Sequence, residues 1–442
     1  MNQLDLTEGN IKKLFFKYLL PSISATLVTS IYILVDTIII GKGIGEQAVA
    51  ALNIILPLFN MFFGIGLLFG VGGSVLFSVS KGEGNVEKGN HYFSYSLFAM
   101  ILVVLITIAT CFFTYDKLIA FLGSSDVTES YIHSYAPFVI MGAPVFACSS
   151  FLQTFVRNDA DPNRSMVAVI CGGVTNIVFD LLLVFGFHMG MAGAAIASVI
   201  GVSLTCIILV SHFFSSKNTL KLSLHGKPLN ILYKIIITGF PSFLIEIAGG
   251  IVILCFNIQL LKYSSVNGIT AYSIISNTAL IVTSLSNGVS QAAQPILATN
   301  FGAGKLERVR KTFHFTVITA AIISSIFFVI SCILPDLFIY MYINPTNEVL
   351  SLARTALRIY GIGFLLSAVN TIICNYFQAT LKQYYSLLLC LLRSLILTLL
   401  FIYTLPVFFG TNGIWITVPI VEILTLGIAC YLYWKCHRIK AN

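Results

Sequence analysis

Ile101–Phe113 reads ILVVLITIATCFF, thirteen residues without a charge, and runs of this kind recur along the whole chain. Only 10% of the 442 residues are charged and 57% are hydrophobic, whereas a soluble domain carries about 25% charged residues. Mean hydropathy is +0.93. A water-soluble fold has no place to hide that much apolar surface, so the chain is expected to be a polytopic membrane protein.

Apolar runs of about 20 residues, long enough to cross a bilayer, fall near 14–40, 49–79, 93–114, 132–156, 165–187 and 192–214. A second set falls near 232–260, 268–300, 313–335, 351–379, 384–408 and 412–434. The segment Ser215–Asn230 between the sets is the longest polar interruption. Met1–Asn10 carries Asp5 and Glu8 and lacks the basic region of a secretory signal, so the first apolar run is expected to remain as a helix.

The net charge of +8 does not point to nucleic acid, because the basic residues sit in short loops and form no basic face. With the N-terminus inside, 20 of the 25 Lys and Arg fall on the inner side. Only Lys42, Lys117, Lys262, Arg354 and Arg358 fall outside. An odd number of spans would scramble this asymmetry, so it supports twelve spans with both termini cytoplasmic.

The halves repeat at an offset of 220 residues. Leu19-Leu20-Pro21-Ser22 aligns with Gly239-Phe240-Pro241-Ser242, and Gly82-x-Gly84-x-Val86-Glu87-Lys88 with Gly302-x-Gly304-x-Leu306-Glu307-Arg308. Six spans per half leave both halves pointing the same way, related by an axis along the membrane normal, with a cleft between them, an arrangement of transporters. The expected fold is therefore all-α, with twelve transmembrane helices in two pseudo-symmetric six-helix lobes. The N-lobe covers residues 1–214, a cytoplasmic linker 215–230, and the C-lobe 231–442.

Four acidic residues lie inside spans: Asp36, Asp180, Glu246 and Glu422. A carboxylate at a helix centre costs about 2.5–3.5 kcal/mol to insert, so each needs a partner or a task. Asp180 follows Asn176 by four residues, which puts both side chains on one helical face. An amide oxygen beside a carboxylate suits a hard cation or a proton, although such a pair also serves simply to glue helices. Asp36 is either part of such a site or a structural carboxylate near the outer interface. Glu246 either lines a cavity for cationic substrates or pairs with Arg393. Glu422 has Pro419 close by, and structural pairing and function stay equally open for it. Pro21 and Pro241 occupy equivalent places and can act as hinges, or as plain packing kinks.

Other chemistries find no footing. The ten cysteines show no C-x-x-C spacing, no Walker motif or H-E-x-x-H occurs, and the histidines are dispersed. No nucleotide, nucleic acid, enzymatic activity or structural metal is expected. The glycine series Gly64, Gly66, Gly70, Gly72 and Gly73 reads as a surface for close helix approach.

With these residues in order, the sequence resembles the multidrug and toxic compound extrusion (MATE) family over nearly its full length. The resemblance rests on Pro21, Val35-Asp36-Thr37, the turn with Gly84, Glu87 and Lys88, Asn176-x-x-x-Asp180, Gly193-Ala194-Ala195, and Gly239-Phe240-Pro241 with Glu246. It implies two lobes around a V-shaped cleft that export organic cations and drugs by alternating access, in antiport with protons or sodium, as a monomer in the cell membrane. It maps the coupling-ion site onto Asp36, Tyr135, Asn176, Asp180, the Ala194 carbonyl and Ser198, with Na+ placed at Asp36, Asn176 and Asp180. Threonine is more usual where Ser198 stands. The substrate cleft would hold Glu246, Asn375 and Gln378. Some members carry an acidic residue in span 10, where this chain has Cys374-Asn375-Tyr376-Phe377-Gln378, so a C-lobe proton site is not expected. The alternative within the same superfamily is a flippase for lipid-linked saccharides. Such a cleft should be lined with arginines to grip pyrophosphate, and Arg393 is the one arginine well inside a span.

Overall fold

The computed structural model describes residues 5–225, 228–264 and 266–438. Among them lie twelve helical spans long and apolar enough to cross a membrane, and no strand. In chain order the helices are α1 (Ile11–Gly43), α2 (Glu46–Gly82), α3 (Val86–Phe113), α4 (Tyr115–Leu122), α5 (Glu129–Asn158), α6 (Pro162–Asp180), α7 (Gly190–Val210) and α8 (Pro228–Tyr263). They continue with α9 (Val266–Gly302), α10 (Leu306–Ile333), α11 (Pro335–Tyr342), α12 (Asn347–Ala379), α13 (Gln383–Leu391), α14 (Leu397–Phe409) and α15 (Thr411–Arg438). Every expected span is present, and most run longer than their apolar stretch. Polar caps carry them on: the Asn10 side chain accepts from the Lys12 and Lys13 amides to start α1, and Asn85 accepts from Lys88 to start α3. Lys227 and Lys440, counted above on the inner side, lie outside the described residues.

The internal repeat extends to the ends of elements. Glu46–Gly82 recurs as Val266–Gly302, Val86–Phe113 as Leu306–Ile333, and Tyr115–Leu122 as Pro335–Tyr342, each 220 residues on. The last pair, α4 and α11, are short helices absent from the sequence reading.

The chain forms two compact units. One contains residues up to Ile247 together with Ala298–Leu306; the other contains Ala248–Leu297 and everything from Glu307. Residues 231–247 pack within the first unit because α8 lies directly on α2. A Cβ on Gly72 would fall 2.2 Å from the Ile235 carbonyl oxygen, and one on Gly239 would fall 1.8 Å from that of Leu68. The segment after α7 is also fastened there, with the Lys221 and Ser223 amides donating to Asn90 Oδ1 (3.0 Å) and Ser94 Oγ (2.8 Å) of α3.

In lipid there is no hydrophobic drive between helices, so close approach and interhelical hydrogen bonds hold the first unit together. Helix α2 is its centre, and the glycines of the series face three neighbours, α5, α3 and α8. Cβ atoms on Gly66 and Gly70 would strike α5, at Ser150 Oγ (2.0 Å) and Thr154 Oγ1 (2.7 Å). One on Gly73 would strike Ser96 Oγ of α3 (2.1 Å), and one on Gly64 would meet Phe243 of α8 (3.0 Å). The expected close-approach role is what the glycines perform. At the end of α2 the contact is reciprocal: Gly82 abuts the Thr299 carbonyl and Gly302 abuts the Val79 carbonyl, both at 2.0 Å from an added Cβ. The second unit has a more conventional core, where Phe256, Tyr272 and Trp415 stack with centroids 5.1 and 6.4 Å apart.

Candidate functional site

The expected ion site assembles from α1, α5, α6 and α7 inside the first unit. Helix α6 lies against α7 through a pair of glycines: an added Cβ on Gly201 would meet Asn176 Cβ at 2.7 Å, and one on Gly172 would meet the Gly201 carbonyl at the same distance. This approach sets Asn176 opposite α7, where its Nδ2 donates to Ser198 Oγ at 3.4 Å. One turn further, Asp180 closes α6, and the chain continues as a π-helical turn, Leu181–Gly186. Such turns, one residue wider than α-helix, recur at functional sites. Here the widening is wedged against α1, since a Cβ on Gly43 would meet Val184 Cγ1 at 2.6 Å.

Asp180 is fully buried, Asn176 nearly so, and Asp36 of α1 is half-buried. The two carboxyls lie side by side, with Asn176 next to Asp180. Tyr135 of α5 completes the group: it is buried, adjoins Ser198 and both carboxyls, and is held edge-on by Phe59 at 5.9 Å. Ala194 is buried one turn before Ser198 on the same face of α7. All six residues assigned by the resemblance therefore lie on the four helices that meet here.

Charge balance is the telling property of this cluster. Both Asp180 oxygens, Asp36 Oδ1 and Asn176 Oδ1 are buried and take no hydrogen bond from any described group. Ionised carboxylates only accept, and a buried polar group left unpaired costs about 1–3 kcal/mol or more if charged. Facing carboxylates with neutral amide and hydroxyl oxygens around them have the chemistry to accept one positive charge. A proton shared between them or a small hard cation in oxygen coordination fits equally well.

The sequence reading missed two supports. Tyr32, one turn before Asp36, lies along Gly173 of α6, 3.2 Å from where its Cβ would be. Phe59, Phe63 and Phe146 form an aromatic wall with centroids 5.0 and 5.5 Å apart. Periodicity within the helices was the available signal for both.

The remaining candidates divide between the units. Glu246 belongs to the first, half-buried, its Cβ 3.6 Å from where Gly64 would carry one. Asn375 and Gln378 belong to the second; Asn375 Nδ2 donates to the Thr371 carbonyl of its own helix at 3.1 Å, and Gln378 is buried. Arg393 does not pair with Glu246. It donates from Nε to Glu422 Oε1 at 2.7 Å, which also gives Glu422 the partner left open above. Pro21 and Pro241 are buried inside continuous helices.

A further charged cluster, in the turn between α5 and α6, went unread because its residues looked like loop polarity. Buried His212 lies between Asp159 (3.0 Å from Nε2) and Asp161 (3.4 Å from Nδ1). Lys81 and the Thr219 amide and hydroxyl also hold Asp159, while Arg164 and Lys217 hold Asp161. Burial alone would raise both carboxyls, but the hydrogen bonds from His212 and these cations outweigh it and keep them below the usual aspartate range. Several basic residues read as orientation signals are thus fastened to this turn.

A twelve-span bundle, repeated in two halves and holding a buried carboxylate pair inside one of them, is the build of a membrane transporter. Residues 21–182 and 241–404 match the MatE family, and the chain belongs to that family of multidrug and toxic compound extrusion transporters. It is therefore a membrane transporter and not an enzyme. Among its relatives is the multidrug export protein MepA of Staphylococcus haemolyticus, 24% identical over 98% of this chain and 95% of that one. MepA of Staphylococcus saprophyticus is 25% identical over 92% and 88%. The fold superposes on an outward-facing MATE family transporter of the MOP superfamily with a TM-score of 0.91 at 20% identity, covering 100% and 98% of the two chains. A MATE structure in the bent conformation gives 0.88 at 21% identity, covering 99% and 97%.

Proposed function

We propose that this transporter exports organic cations and drugs in exchange for protons or sodium, with the exchangeable ion taken by Asp36 and Asp180. The observation that carries the reading is the facing carboxylate pair whose buried oxygens have no donor. Asn176 and Ser198 add neutral oxygens, and the Ala194 carbonyl and Tyr135 complete the set. Loading one cation cancels the repulsion between the carboxylates, and unloading restores it. The ion thus has a differential effect on how tightly α1 packs against α6, which is what coupling requires. Pro21, lacking an amide hydrogen, is the natural point at which α1 yields, with Pro241 in the equivalent place in α8.

Glu246 supplies a fixed negative charge for cationic substrates, and Asn375 and Gln378 supply polar contacts. The chain works as a monomer in the cell membrane with both termini cytoplasmic, in line with the distribution of Lys and Arg. The name multidrug export protein carried by the MepA relatives agrees with drugs as substrates. Saccharide-lipid flipping draws no support from Arg393, whose guanidinium is engaged by Glu422.

The test is dye uptake into inverted vesicles with proton and sodium gradients imposed separately. One gradient should drive uptake, and Asp36→Asn and Asp180→Asn should each abolish it without loss of folded protein. Gradient-driven uptake at wild-type rate in both variants would refute the reading.

A further inference from the structure

The second unit contains a buried charged cluster that the transport reading leaves unused. Arg393 stands in a π-helical turn, Leu392–Ile396, between α13 and α14. Besides its bond to Glu422, its Nη1 donates to Thr371 Oγ1 at 2.9 Å and its Nη2 to Ser367 Oγ. Asn370 Nδ2 donates to the other Glu422 oxygen at 2.7 Å and to the Glu422 carbonyl at 2.9 Å, while its own Oδ1 is buried without a donor. Tyr360, Cys374 and Cys390 are the other titratable groups facing the cluster.

The guanidinium is thus held by a carboxylate and two hydroxyls, and an amide holds the carboxylate from its other side. These are the classes of oxygen that surround the Asp36–Asp180 pair, with one difference: a cation is already in place. An arginine cannot be deprotonated in a protein, and its tether prevents it from leaving.

From this we infer that Arg393 is a built-in substitute for an exchangeable ion, permanently filling an oxygen cage in the second unit and so confining ion exchange to the first. The inference rests on the reading that Asp36 and Asp180 exchange an ion. A buried carboxylate needs a positive charge beside it. The first unit leaves that charge to the solution, and the second carries it on its own side chain. Removing the arginine should therefore convert a closed cage into an open site for Na+ or a proton at Glu422, with Asn370, Thr371 and Ser367 as neutral ligands.

The test uses the full-length purified protein and reads its thermal midpoint against sodium chloride, with choline chloride as the ionic-strength control, and against pH. Wild type compared with Asp36→Asn/Asp180→Asn shows whether the first unit takes an ion, which judges the transport reading separately. In that double-variant background the sodium response should be gone. Adding Arg393→Ala should lower the midpoint and create a new response, a rise of several degrees with sodium or with falling pH. Adding Glu422→Gln should abolish that response, and Arg393→Lys, which keeps a tethered charge, should never show it. The inference is overturned if the background already responds to sodium until Glu422→Gln is added. It is equally overturned if folded Arg393→Ala responds to neither ion. Should Arg393→Ala fail to fold, Arg393→Met/Glu422→Met replaces the pair with apolar side chains of similar size. Its count of ions exchanged per substrate should equal that of wild type, and a changed count overturns the inference.

Discussion

Two buried charge clusters, one in each unit, solve the same problem in opposite ways. Around Asp36 and Asp180 the acceptors outnumber the donors, and in the function proposed above the missing charge comes from outside. Around Glu422 the donors of Arg393 and Asn370 satisfy both carboxylate oxygens internally. The repeat makes the contrast instructive, because α5, α6 and α7 around the first cluster have their counterparts 220 residues on in α12, α13 with α14, and α15 around the second, whereas α8, the counterpart of α1, takes no part. A donorless pair is poorly suited to stability and well suited to exchanging an ion. A satisfied pair has the reverse balance.

The comparison is most exposed to mutation at the carboxylates themselves. Asp180→Asn should reduce ion-driven efflux of every substrate to background while leaving the thermal midpoint unchanged or higher, since the new amide can donate to Asp36 and one buried charge is gone. Parallel vesicle transport and thermal unfolding would check both halves of that expectation. Glu422→Gln should do the opposite: it strands the Arg393 charge and should cost about 3–5 kcal/mol of stability, as breaking a buried ion pair does. Measured as yield of folded protein and thermal midpoint, a loss in Asp180→Asn as large as that in Glu422→Gln would erase the distinction between the clusters.

A smaller effect is expected at Glu246. Glu246→Gln should weaken a dicationic dye about tenfold, the equivalent of about 1.4 kcal/mol, and spare a zwitterionic drug, with gradient dependence intact. Competition assays with the two compounds decide it. Uniform loss with gradient dependence gone would move Glu246 into the coupling machinery.

The smallest effect concerns acid stability. Asp159 and Asp161 ionise more readily in the folded protein than in the unfolded chain. Their contribution is therefore fully present above the ordinary aspartate value of about 3.9 and is lost as pH falls through their lower folded values. Asp161→Asn should lower the midpoint at neutral pH and flatten its decline below about pH 4. An acid limb as steep as that of wild type would show that other groups set it.

The spans were legible because bilayer thickness imposes a length on apolar runs, and the two lobes because Pro21 and Pro241, Gly82 and Gly302 keep one offset. The first-unit site was legible through Asn176 and Asp180, whose spacing puts them on one face. Helices α4 and α11 escaped notice because eight residues are too few to stand out beside spans. The partner of Arg393 was undetermined in the sequence, where Glu246 and Glu422 were both apolar-span carboxylates; only packing shows that α15 faces the π-turn. The clasp around His212 was hidden for a related reason: loop residues are expected to meet solvent, yet Asp159 and His212 meet each other at zero exposure.

Helix α2 bears on how the sequence can drift over time. By hydropathy it resembles α10, and a lipid-facing helix such as α10 accepts one large apolar residue for another almost freely. Helix α2 shows α5, α3, α8 and α9 a bare backbone at Gly66, Gly70, Gly72, Gly73 and Gly82, with carbonyl or hydroxyl oxygens within 2.7 Å of any added methyl. Substitutions that look harmless on an apolar scale are closed to it, so descent should leave this segment as a nearly fixed thread through a chain whose other spans are free to change.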